Sequence, residues 1–145
     1  MTNYMTLRVK AVPMNESFVR GVVAGFTVPC DPTIDVINDI RTAVSEAVTN
    51  CVVHAYGGTG DGDILIEGRI NDGILTLSVS DYGRGIDDVE KAMEDFFTTK
   101  ESEERSGLGF TIMKSFMDSL SVVSEKGAGT TVTMTKKLTG TDAER

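Results

Sequence analysis

Glu46, Asn50 and His54 recur at intervals of four in the stretch EAVTNCVVH. In a helix each such step turns the chain by only ~40° and rises ~6 Å, so all three would share one ridge. That ridge would run beside the apolar positions Val44, Val48 and Cys51. A carboxamide oxygen there can ligate a hard cation such as Mg²⁺, which prefers oxygen donors. A carboxylate one turn away can accept the proton of an attacking hydroxyl. The same spacing also suits a solvated polar ridge, which helices carry routinely. Further on, Asp81-Tyr82-Gly83-Arg84-Gly85 follows the alternating residues Leu75, Leu77 and Val79. Asp81 continues their period of two and is expected to face the core side. A buried carboxylate needs a partner, or it costs several kcal/mol. A purine amino group would serve, with Gly83 and Gly85 allowing backbone to approach a flat ligand closely. An ordinary turn, with Asp81 bonded to nearby N–H groups, is the other reading.

Gly107-Leu108-Gly109 precedes a helical pattern. Glycines at such a start expose N–H groups at the positive end of the helix dipole, where phosphate binds well. Lys100 and Arg105 lie just before and could add charge. Gly127-Ala128-Gly129-Thr130-Thr131 sits between two strand patterns and by itself reads as a hairpin turn. The Walker pattern GxxxxGK[ST] is absent, so a nucleotide site here would not be a P-loop.

These groups need a scaffold, and the chain can supply one. Its 145 residues suit one domain, 40% of them are hydrophobic, and no apolar run approaches the ~18 residues of a membrane span. Residues 1–10 lack a signal-peptide pattern. Two cysteines and one histidine exclude a disulfide framework and leave little for a metal cluster. A cytoplasmic protein is expected. The net charge of −8 argues against nucleic acid and anionic membrane as partners.

Alternation over 5–12 predicts a strand ended by Pro13. Asn15 or Ser17 could cap a helix burying Phe18, Val19, Val22, Val23 and Phe26. Thr33 could cap a longer helix reaching about residue 55, with Ile34, Ile37, Ile40, Val44, Ala47, Val48 and Cys51 as its apolar stripe. Strands at 64–70 and 74–80 flank Asn-Asp-Gly, a hairpin signal. The polar segment 81–109 reads as a binding loop or lid. A helix over 108–119 and strands at 120–125 and 130–138 follow, with a tail from about 136 to 145 expected to fray. This order predicts an α+β sandwich, helices on one face of a mixed, mostly antiparallel sheet.

Together, Glu-xxx-Asn on a helix, Asp-x-Gly-x-Gly after a strand, Gly-x-Gly at a helix start and Gly-x-Gly-Thr resemble the GHKL (Bergerat-type) ATP-binding fold of gyrase, MutL and histidine-kinase catalytic domains. EAVTNCVVHAY, DYGRGI and FFTTKESEERSGLGF are similar in detail to its anti-sigma factor serine kinase branch. The resemblance implies ATP and Mg²⁺ as cofactors. Glu46 would be the general base, and Asn50 would hold Mg²⁺. Asp81 would bond the adenine amino group with help from Thr130, and residues 81–85, including Gly83 and Gly85, would form a glycine box. Gly107, Leu108 and Gly109 would meet phosphates, Lys100 and Arg105 would belong to a lid, and His54 would face phosphate or merely support the loop after it. The implied partners are an RNA polymerase sigma factor of the sigma F type, an anti-anti-sigma protein phosphorylated on serine, and a second copy of the chain. Arg20 is a candidate partner contact or a plain surface charge. The competing readings are an ATPase, or a nucleotide-gated binding module without protein phosphorylation.

Overall fold

Strand pairing follows the alternation. In the computed structural model, which describes residues 2–93 and 109–139, five strands form one sheet. They are β1 (Thr2–Lys10), β2 (Asp63–Asn71), β3 (Ile74–Asp81), β4 (Ser119–Glu125) and β5 (Gly129–Lys137). Their spatial order is β1-β2-β3-β5-β4, and every pairing among the described residues is antiparallel. Asp72 and Gly73 both have positive φ, 51° and 79°, as a two-residue hairpin turn requires. Ile64, Ile66 and Ile70 of β2, Leu75, Leu77 and Val79 of β3, and Val132 and Met134 of β5 are buried on one face.

Helices cover that face: α1 (Met14–Thr27), α2 (Ile34–Thr49), the short α3 (Val89–Ala92) and α4 (Phe110–Phe116). Val19 and Val23 of α1, Ile40, Val44 and Val48 of α2, and Met113 of α4 complete the core. The result is the expected two-layer α+β sandwich. Thr33 caps α2 as predicted, its Oγ1 accepting from Val36 N–H at 3.2 Å.

Four details differ from the expectations. First, α1 begins directly after Pro13, whose fixed φ is already helical; the Asn15 amide donates instead to the Lys10 carbonyl at 2.8 Å. Second, Ile34 and Phe18 lie at the rims of their stripes and are 72% and 53% exposed. Third, α4 stops at Phe116, because Met117 is extended and Asp118 N–H already donates to Thr135 in the sheet. Fourth, the chain stays ordered past 136: Lys136 Nζ reaches Asp39 and the Phe116 carbonyl, and Leu138 is buried.

The end of the long helix matters most. Beyond Thr49 the chain widens into a π-helical turn, Asn50–Ala55, and Tyr56 N–H reaches back five residues to Cys51 O at 3.2 Å. Such turns disturb the four-residue repeat. The Tyr56 hydroxyl closes the segment, donating to Asp63 O and accepting from Tyr82 N–H, both at 2.7 Å. The helix end is thereby fastened to the start of β2 and the end of β3.

Candidate functional site

A cavity of about 360 Å³ opens between the helix layer and the ends of β3 and β5. Period two brings Val79 and Asp81 of β3 beside Thr130 and Val132 of β5. Ala47 of α2, with Asn50, Cys51 and His54 of the π turn, forms the facing wall. Ile86 and Phe110 add further apolar surface, which suits a flat ring; Arg84 adds positive charge, and Lys126 lies paired with Asp87 at 3.7 Å.

Asp81 is 7% exposed and well anchored. Its Oδ1 accepts from Gly83 N–H at 3.0 Å and Thr130 N–H at 3.2 Å. Its Oδ2 has a weak donor, Cys51 Sγ at 3.8 Å, leaving acceptor capacity toward the cavity. Burial pushes the Asp81 carboxyl above its ordinary value, while the two N–H groups and the thiol pull it back. Burial, followed by the Asp81 charge, pushes the Cys51 thiol far up, so it behaves as a neutral donor.

Gly83 and Gly85 are also needed for packing, and Gly85 lines the cavity. A Cβ on Gly83 would overlap the Ala55 carbonyl of the π turn, and one on Gly85 (φ 76°) would overlap the Glu125 carbonyl of the β4–β5 hairpin. The close approach at each is to the protein's own backbone. Arg84 N–H donates to Ala55 O at 3.2 Å, and Gly127 N–H donates to Arg84 O at 2.7 Å, so the loop is tethered on both sides. Gly83→Ala should therefore displace the π turn from β3 and lower stability by ~1–3 kcal/mol, as overpacking does. Urea denaturation, with unchanged m, checks this.

Glu46 stands apart from the lining just described. It lies against Gly109, where a Cβ would overlap its carboxylate, and it edges a second groove shared with Glu16, Arg20 and Arg41. Asn50 and His54, four and eight residues on, face the main cavity, so the single ridge divides at the π turn. Burial, followed by the Glu16 carboxylate, raises the Glu46 pKa. Arg20 is half-buried and pairs with Glu16 at 3.7 Å. Gly109 caps α4 in the left-handed conformation, φ 67°. Lys100, Arg105, Gly107 and Leu108 lie outside the described residues.

Sequence reasoning missed Ile86, Phe110 and Lys126 of the lining, and Ser124, whose hydroxyl lies 2.8 Å from Thr130 Oγ1. Only the strand register, Asp81 opposite Thr130 and Ser124 opposite Thr130, brings these segments together.

Residues 13–136 match the family model described as a histidine kinase-like ATPase domain. An anti-sigma F factor from Caldanaerobacter subterraneus is 54% identical over 92% of this chain and 93% of its own length. One from Clostridium beijerinckii is 50% identical over 93% and 94%. The chain belongs to the anti-sigma F factor family. Solved structures agree on the fold. The RsbU and RsbW domains of Rv1364c from Mycobacterium tuberculosis align with a TM-score of 0.68 at 23% identity, covering 94% of this chain and 32% of that one. The catalytic domain of histidine kinase ThkA aligns at 0.57 and 17%, covering 94% and 96%. Among the described residues no helix is long and apolar enough to cross a membrane.

Proposed function

We propose that this member of the anti-sigma F factor family is a single-domain protein that sequesters a sigma factor of the sigma F type. On this reading it is also an ATP-dependent serine kinase acting on an anti-anti-sigma protein, in control of sporulation transcription. Membership of a histidine kinase-like ATPase family supports a capacity for ATP and Mg²⁺. The observation that carries the reading is Asp81: a buried carboxylate with one oxygen fixed by two backbone N–H groups and the other met by the weak Cys51 thiol donor, with acceptor capacity left for a ligand. An adenine amino group would suit it, and Val79, Ile86 and Val132 would offer the ring apolar surface. Asn50, which lines the cavity, would hold Mg²⁺, a hard cation that prefers oxygen donors and is commonly shared with substrate phosphates. The bound ion would spread phosphate charge that an acidic protein otherwise opposes. Glu46, beyond the cavity rim, would take the proton of the acceptor serine. On this reading the acceptor serine would enter by the groove that Glu46 shares with Arg20 and Arg41, and the protein would act as a homodimer.

Incubation with γ-labelled ATP, Mg²⁺ and a candidate anti-anti-sigma protein tests this. Label in acceptor serine supports the kinase. Free phosphate alone would point to an ATPase, and binding without turnover to a gated binding module.

A further inference from the structure

Ser124 gathers three groups around one hydroxyl. Ile86 N–H donates to its Oγ at 2.8 Å, the Gly129 carbonyl lies at 3.1 Å, and Thr130 Oγ1 lies at 2.8 Å. A serine hydroxyl has one proton and two lone pairs. The Gly129 carbonyl can only accept, so it takes the Ser124 proton. Ile86 N–H fills one lone pair. The other must receive the Thr130 proton, which is the one assignment that makes all three contacts hydrogen bonds.

The consequence falls on Thr130, which lines the cavity. Its only hydroxyl proton is held within the protein, so to a ligand that reaches this oxygen it shows lone pairs alone. The ionised Asp81 carboxylate beside it is likewise an acceptor only. A 6-amino purine brings donors to such a wall. With the 6-substituent set between Asp81 and Thr130, a 6-oxo purine brings an acceptor to the same place and leaves acceptor facing acceptor, because its extra donor, N1–H, is not at position 6; such an arrangement discriminates strongly in a dry site.

We infer that Ser124 is a specificity-determining positioning residue: by holding the Thr130 proton, it makes this wall select a 6-amino purine over a 6-oxo purine. The inference rests on the purine site at Asp81 proposed above, with the 6-substituent of the base reaching Thr130 as well. Calorimetric titration with ATP and with inosine triphosphate, each with Mg²⁺, tests it, because the two share ribose and phosphates. The parent protein should prefer ATP. Ser124→Ala frees the Thr130 proton to meet the 6-oxo group, and the preference should fall about tenfold, mainly through tighter inosine nucleotide binding. Ser124→Thr keeps a hydroxyl and should keep the preference. In a Thr130→Val background, Ser124→Ala should leave the ratio unmoved. If the alanine variant fails to fold, Ser124→Cys, which keeps the volume but holds the proton poorly, should shift the ratio in the same direction. An unchanged ratio in Ser124→Ala, or in Ser124→Cys in that case, overturns the inference and leaves Ser124 a structural tie. A parent that binds both nucleotides equally overturns the inference but spares the nucleotide site. A parent that binds neither overturns the nucleotide site itself.

Discussion

Glu46→Ala is expected to cut phosphoryl transfer by ~10²–10⁴-fold, the usual contribution of a positioned general base, while ATP affinity is retained. The expectation follows from where the side chain stands. It lies against Gly109 and edges a separate groove, while Asn50 and Asp81 line the main cavity. Truncating it should therefore remove a group used in the transition state and leave the nucleotide's contacts in place. Single-turnover transfer from labelled ATP, with calorimetric affinity measured in parallel, separates the two. Transfer at the parent rate would dismiss Glu46 as the base. The pH dependence carries a further signature. A general base works as the carboxylate, so transfer should fall as pH drops through the Glu46 pKa. Burial and Glu16 hold that pKa above its ordinary value of 4.5, so the inflection should lie above it as well. Glu16→Gln removes one of the two raising influences and should move the inflection to lower pH.

Asp81→Asn is expected to weaken ATP binding on the order of 10²-fold, the cost of losing a charge-assisted hydrogen bond in a buried site. It should also make the ligand-free protein more stable at neutral pH. The folded-state pKa of Asp81 is raised, so the folded chain binds more protons than the unfolded one between the two values. Stability contributed by this group is present below the unfolded value and is lost as pH rises through the folded one. At neutral pH the ionised side chain is therefore a net burden, which asparagine removes while keeping an oxygen for Gly83 N–H and Thr130 N–H. Thermal melts without nucleotide should show the rise, and calorimetry the lost affinity. A variant that binds ATP normally would remove Asp81 from base recognition.

The polar ends of the site were legible because their residue types carry the message locally. Asp81 continues the period of Leu75, Leu77 and Val79, so its inward direction follows from a strand's geometry. Thr33, Asp72 and Gly73 similarly announce a cap and a hairpin. The π turn was not legible, since EAVTNCVVHA satisfies an α-helical pattern throughout. Its widening coincides with a tertiary anchor, the Tyr56 hydroxyl held between Asp63 and Tyr82. The roles of Gly83 and Gly85 were hidden for a related reason. A glycine shows that something comes close without showing what, and here the neighbours are Ala55 and Glu125, far away in sequence. Ser124 looks like any serine in an alternating strand until its register beside Thr130 is known.

The cavity's walls come from the middle helix, the end of β3, the loop carrying Ile86, and both sides of the last hairpin. A guest lodged there touches early and late parts of the polypeptide at once and works as a clasp across the chain. By mass action such a clasp adds ~2.7 kcal/mol at a hundredfold excess over its dissociation constant. The protein's resistance to proteases would then rise and fall with the supply of that guest.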